Sequence, residues 1–242
     1  MTLEKPDGDR MPQTPEIDRP GAAPFERYAD RYDAWFETDR GLGFFQLEVE
    51  ALRDLLADRP RPWLEVGVGT GRFAHALGVD EGIDASAAVL RFASLRGIPV
   101  RQGPAEELPY PDRSFGVALL IVTICFVDDP RRAMTECRRI LRDEGCMIVG
   151  LVPKDSRWGR AYAREGAAGH AFYSAARFYT VREVIHLAEK AGFRLDRANS
   201  TLSDAPGRTE VEYEPFRAGV HKDASFVALR FACTGQGHQH VE

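Results

Sequence analysis

With 242 residues, 44% of them hydrophobic and 29% charged, the chain is long enough to bury a real core as one α/β domain with a cap. A net charge of −5 argues against a nucleic-acid-binding footprint, and no apolar run is long enough to cross a bilayer. The N-terminus lacks the layout of a signal peptide and the four cysteines form no C-x-x-C pair, so the expected setting is the reducing cytoplasm.

Residues 1–24 hold five prolines and few large apolar residues, and read as a disordered leader. Residues 25–234 read as a single domain and 235–242, with His238 and His240, as a frayed tail. Within the domain, Phe25, Tyr28, Tyr32, Trp35 and Phe36 recur at helical spacing. Phe45, Val49, Leu52 and Leu56 form a second stripe, so 25–57 should be two covering helices. Taken alone, a stripe of large aromatics is most simply a core face.

The organising stretch is W-L-E-V-G-V-G-T-G-R, Trp63–Arg72. An apolar strand (Leu64, Val66, Val68) breaks at Gly67, Gly69 and Gly71, and a helix follows at once. Backbone N–H groups there can approach a ligand closely. A dinucleotide loop would need its third glycine where this chain has Arg72, so the pattern is acid-x-Gly-x-Gly-x-Gly, with Glu65 as the acid. Val79–Ala85 reads as a second strand ending in Asp84, a carboxylate placed to accept two hydroxyl hydrogen bonds from a ribose.

Ser86 should cap a helix through Arg96, and Ile98–Arg101 should be a third strand. The segment G-P-A-E-E-L-P-Y-P-D-R-S-F (103–115) leads into the most apolar run, Phe115–Val127, expected as a central strand buried on both faces. Ligands of open α/β sheets bind beyond the carboxyl ends of the strands, which makes Ile121, Val122 and Thr123 candidate ligand neighbours. Asp129 and Pro130 should open a helix ended by Gly145, followed by a strand at Cys146–Val152. Lys154–Thr180, rich in aromatics and arginines, interrupts the alternation and reads as a lid. Thr180 and Glu183 then form a capping box, and strands at Phe193–Leu202 and Ser225–Thr234 close the chain around a long polar loop.

The glycine stretch, Asp84 and the A-E-E-L-P segment, in that order, resemble the class I S-adenosylmethionine-dependent methyltransferases. The likeness extends over residues 25–200 and is greatest to the small-molecule group that includes the ubiquinone and menaquinone biosynthesis enzymes. Gly116 departs from the family pattern, which has an acid there. The resemblance implies a Rossmann-like doubly wound sheet of seven strands, mostly parallel with an antiparallel last strand, and a small helical lid. It implies S-adenosylmethionine as cofactor and S-adenosylhomocysteine as product. The residues matching the family's cofactor positions are Glu65, Gly67, Val68 and Gly69 in the loop, Asp84 and Ala85 at the ribose, and Ala105 and Glu106 at the adenine edge. Y-A-D-R-Y-D-A-W-F resembles the family's cover helix, in which the residue matching Tyr32 reaches the cofactor.

The implied function is methyl transfer to a small-molecule acceptor by in-line displacement, with a non-catalytic cofactor-binding protein as the alternative. Tyr28, Trp35, Cys125, Phe126, Trp158 and Tyr173 are candidates to line the acceptor site. Arg157, Arg160, Arg164 and Arg177 hint at an acidic acceptor, or form a solvated helix face. No catalytic base stands out, because the donor is already activated and alignment supplies much of the acceleration. Cys137, Cys146 and Cys233 fall in phase with apolar neighbours and read as core, which leaves too few thiols for arsenic chemistry. His75, His170 and His186 have no partner at ligand spacing, so no metal is expected. Neither the identity of the acceptor nor the oligomeric state is written in these patterns.

Overall fold

In the computed structural model, which describes residues 21–203 and 211–234, the strand that opens the glycine stretch sits inside an eight-stranded sheet. That strand, β1 (Trp63–Val66), pairs in parallel with β2 (Glu81–Asp84) on one side and β4 (Phe115–Ile121) on the other. The parallel set is extended by β3 (Val100–Gln102) outside β2 and by β5 (Leu141–Leu151) beside β4. Next to β5 lies β8 (Phe226–Cys233), antiparallel both to it and to β6 (Phe193–Thr201). The order is β3-β2-β1-β4-β5-β8-β6-β7, in which β7 (Arg217–Ala218) is a two-residue edge strand. Among the described residues this short strand pairs with Asn199 and Ser200, and it makes the sheet eight-stranded where seven strands were expected. It is too short and polar to leave a periodic signal. The expected leader (up to residue 20) and the 235–242 tail lie outside the described residues, whereas residues 23 and 24 already belong to the first helix.

The order of the parallel strands reverses between β1 and β4, which creates a crevice at their carboxyl ends. The strand β4 alternates its burial between two cores. Ala118 and Leu120 pack with Leu64, Val66 and Ile83 toward one set of helices; Val117, Leu119 and Ile121 pack with Ile148 toward the other. Each fully buried leucine in this strand stabilises the fold by roughly 1.5–3 kcal/mol relative to exposure. The expected long strand to Val127 ends sooner. Val122 adopts φ 53°, a left-handed backbone that a β-branched residue rarely takes, and the chain turns through Phe126. The neighbouring strand begins earlier than expected, at Leu141, directly after helix α6 (Pro130–Ile140). Gly116 accounts for the departure noted in the sequence: an added Cβ would lie 1.9 Å from the Pro60 carbonyl oxygen.

The N-terminal cover consists of α1 (Ala23–Arg27), α2 (Ala29–Trp35) and α3 (Asp39–Leu56). Thr38 caps α3 by accepting from the Gly41 N–H, and Leu47, Leu52 and Leu55 bury one face of that helix. Two polar staples hold α1 and α2 over the crevice. Glu26 Oε2 accepts from Ser86 Oγ at 2.7 Å and from Ala88 N at 3.1 Å, at the start of α5 (Ala87–Leu95). Asp33 accepts two bonds from Arg72 and one from Arg96, at 2.8–2.9 Å. Arg72, the residue that breaks the dinucleotide pattern and opens α4 (Arg72–Leu77), therefore ties the glycine turn to the cover. The 154–180 segment forms α7 (Arg157–Ala167), capped by Ser156, and a 3-10 turn at Tyr173–Ala175. The expected capping box, with Thr180 and Glu183 bonded reciprocally, opens α8 (Val181–Lys190).

Candidate functional site

Three glycines after β1 adopt positive φ: 76° at Gly67, 53° at Gly69 and 80° at Gly71. Two of them are required by close packing. A Cβ at Gly67 would sit 2.2 Å from Thr123 Cγ2, and one at Gly71 would sit 2.8 Å from the Ala93 backbone. Gly69 differs, because the nearest atom a Cβ would meet is Tyr32 Cε1 at 3.5 Å. Its bare backbone faces the crevice. Asp84 locks this loop to the end of β2: Oδ2 accepts from Gly69 N and Oδ1 from Ser86 N, both at 2.9 Å. Burial raises the Asp84 pKa, against the backbone donors of Ser86, Gly69 and Ala85.

The crevice is lined by Gly67 and Gly69 from the first loop, by Asp84 and Ala85 from the second, and by Ala105 and Glu106 from the third. Ile121, Val122 and Thr123 close its far wall, and Tyr32 covers it. Val68 stands behind the lining, with its side chain against Gly82. Glu65 is also behind it, buried, with Oε2 lacking a hydrogen-bond partner among the described residues. Burial and then the nearby Asp84 charge raise its pKa well above the usual carboxylate range, opposed by the Ala74 N–H. Glu106 contributes to the lining, but Oε1 accepts from Asp128 N and Asp129 N, which fixes the turn into α6. Gly21, Ala22, Phe25 and Phe126 also line it and carried no motif signal as cofactor neighbours, whereas Gly103 and Pro104 belong to the 103–115 segment.

A second cavity of 530 Å³ opens from the crevice, and the two share Phe25, Tyr32, Val122 and Phe126. Its walls are aromatic: Trp35, Phe36 and Phe44 from the cover, Trp158 and Tyr162 from α7, and Phe172 and Tyr173 from the turn beyond. Tyr173 stacks between Tyr162 and His170, with both ring centroids 4.3 Å away. Glu48, on α3, is the buried carboxyl of this chamber, and its pKa is pushed up to about 8 by burial. Sequence reading missed Glu48, Phe44, Tyr162 and Phe172 as chamber residues; an acid within the apolar face of α3 was the signal available.

Two candidates lie elsewhere. Tyr28 is outside both linings, its ring 6.2 Å from that of Phe172. Cys125 faces away, into a small void beside Phe178 and Tyr179. Its thiol donates to the Val122 carbonyl at 3.3 Å, and burial pushes its pKa up to about 12. The four arginines of 154–180 are likewise absent from the chamber lining; Arg157 donates to the Ser203 carbonyl and Arg177 lies over the Tyr179 ring. Among the described residues, no group of three or more His, Cys, Asp or Glu could hold a metal ion, and no helix is long and apolar enough to cross a membrane.

Residues 64–149 match a family model described as a methyltransferase domain. A solved structure from Thermotoga maritima, described as an S-adenosylmethionine-dependent methyltransferase and possible histamine N-methyltransferase, is 38% identical. It superposes with a TM-score of 0.80 over 88% of this chain and 99% of its own. The chain belongs to the S-adenosylmethionine-dependent methyltransferases. An uncharacterized Mycobacterium tuberculosis protein, Rv2003c, is 38% identical over 96% of this chain and 80% of its own length. The demethylmenaquinone methyltransferase of T. maritima is 28% identical over 55% of this chain and 62% of its own. As in other members of the family, the cofactor of this methyltransferase is S-adenosylmethionine. The crevice suits it, since it offers a side-chain-free backbone at Gly69 and an aspartate at the end of β2, with Glu65 Oε2 buried behind the lining and lacking a hydrogen-bond partner among the described residues.

Proposed function

We propose that the protein transfers the methyl group of S-adenosylmethionine to a small molecule held in the aromatic chamber. The observation that carries this reading is the shared wall: Phe25, Tyr32, Val122 and Phe126 line both the crevice and the chamber, so two ligands can meet there. Bound S-adenosylmethionine supplies an activated methyl on a sulfonium. In this reading Asp84 accepts the ribose hydroxyls, while Gly67 and Gly69 admit the cofactor chain beside Glu65. Ala85, Ala105 and Glu106 flank the adenosine, and Ile121, Val122 and Thr123 form the floor. The aromatic faces of Phe25, Tyr32 and Phe126 favour positive charge and keep water from the junction. The chain's contribution is alignment in a dry site, which needs no dedicated base. The chamber's volume is in the range of small-molecule sites. Four free cysteines support a cytoplasmic setting.

Calorimetric titration with S-adenosylmethionine and, separately, S-adenosylhomocysteine tests the reading. Saturable binding of both is expected. Asp84→Ala should weaken it by about 1–3 kcal/mol, the range for hydrogen bonds to a charged group and for the loop donors left unpaired. A folded sample that binds neither compound overturns the assignment. Binding without turnover across a broad acceptor panel would leave a cofactor-binding protein instead.

A further inference from the structure

We propose that the acceptor carries an ammonium group that anchors it to the Glu48 carboxylate within the aromatic walls of the chamber, the methyl going to a different, nucleophilic atom of the same molecule. This inference rests on the chamber being the acceptor site.

Among the described residues, Glu48 is the one charged residue of the chamber that is buried, at 8% exposure. Burial alone perturbs it, with no hydrogen bond or ion pair among the described residues to offset the loss of hydration. An isolated carboxylate in such a place costs several kcal/mol unless a partner arrives. The walls around it favour one kind of partner. The rings of Trp35, Phe44, Trp158 and Tyr162 line the chamber around it, and because aromatic rings attract cations, Glu48 gives an aromatic enclosure an anionic end. The phenols of Tyr32, Tyr162 and Tyr173 all feel the Glu48 charge, so the carboxyl lies among the rings rather than at a remote edge.

The other charged and titratable groups facing the chamber are Arg31 and Tyr32 from α2 and Arg40 from α3. Tyr162 and Glu165 face it from α7, and His170 and Tyr173 from the turn beyond. Arg31 and Glu165 are exposed, and the Arg40 guanidinium lies over the Trp158 ring at 5.7 Å. An acidic acceptor would have to sit against Glu48, whereas an ammonium would neutralise it. Free Glu48 holds its proton below about pH 8, so capturing an ammonium releases that proton. Amine affinity should therefore rise as pH increases from 6 to 8.

The test is calorimetry in saturating S-adenosylhomocysteine with ω-phenylalkylamines of one to four methylenes, the matching alcohols and the matching carboxylates. The best amine is expected to bind about 10- to 100-fold more tightly than its alcohol, the range for a charge-assisted bond, with the carboxylate weakest. Glu48→Gln, which keeps the shape, should abolish the preference and flatten the rise with pH while leaving the alcohol's affinity intact. Any pH dependence left in the variant belongs to the other facing groups. Amines no better than alcohols, carboxylates that bind best, or a preference that survives Glu48→Gln would each overturn the inference. If S-adenosylhomocysteine itself fails to bind, the methyl-transfer reading falls first. The same series on the free protein then decides amine selectivity by the same criteria.

Discussion

The two cavities that meet at Tyr32 are built by different means. The crevice is made by loops that follow β1, β2 and β3 and by the end of β4, and much of what it presents is backbone: Gly67, Gly69 and the turn fixed by Asp84. The chamber presents side chains from α2, α3, α7 and the 3-10 turn, delivered by elements far apart in the chain. The crevice is therefore as rigid as the sheet, and the chamber only as well defined as the packing of its helices. A fold made this way can keep one cofactor while its helices change the acceptor.

The change expected to break the crevice and spare the chamber is Gly69→Val. Its side chain would project beside Tyr32 into space that Gly67 and Gly71 do not have. Cofactor affinity should fall on the order of 100-fold, as for a well-fitted site overfilled by a branched side chain. The φ of 53° adds roughly 1–2 kcal/mol of folding cost, which a melting curve would register. Normal titration by S-adenosylhomocysteine in this variant would remove Gly69 from the site.

An intermediate effect is expected where both cavities share a support. Asp33, gripped by Arg72 and Arg96, fastens α2 and hence Tyr32 to the glycine turn. Burial alone would raise the Asp33 pKa, but the hydrogen bonds from Arg72 and Arg96 outweigh it and hold the pKa at about 2. A carboxyl depressed on folding stabilises the protein fully above its unfolded pKa near 3.8, and that contribution is lost as pH falls through about 2. Asp33→Asn should cost about 2 kcal/mol near neutrality and flatten the acid limb of a stability profile between pH 4 and 2. Because Tyr32 belongs to both linings, cofactor and amine affinities should drop together. A loss confined to one ligand would mean that the cavities are not supported in common.

The same division explains what was legible in the sequence. W-L-E-V-G-V-G-T-G-R, Asp84 and A-E-E-L-P are short runs in which one loop holds its whole contribution to the crevice, so reading the runs brought these residues together. Arg72 was legible only as a missing glycine; its bond to Asp33, thirty-nine residues away, depends on how α2 docks. The chamber needs the angles at which α2, α3 and α7 cross, and no local pattern encodes these. Glu48 shows it well, since a single acid on an apolar helix face has no partner nearby in sequence to give it meaning. The early end of β4 is physical too. A strand carried on to Val127 would place Cys125 and Thr123 on one face, but the left-handed Val122 turns the chain first.

That turn supports the smallest prediction. Cys125 follows the apolar strand and was expected beside the acceptor, yet its thiol donates to the Val122 carbonyl and faces Phe178 and Tyr179 rather than the chamber. A thiol with its pKa pushed up to about 12 carries almost no thiolate at neutral pH, so it offers no nucleophile. Cys125→Ala removes one weak donor and leaves a small void, a loss of about 1 kcal/mol in stability. Cofactor affinity, amine preference and turnover should all stay within about twofold of the parent, since 0.4 kcal/mol corresponds to that ratio. If turnover instead collapsed while the melting temperature held, Cys125 would have to swing past Val122 during the reaction. The boundary between the rigid crevice and the adaptable chamber would then run through β4 rather than beyond its end.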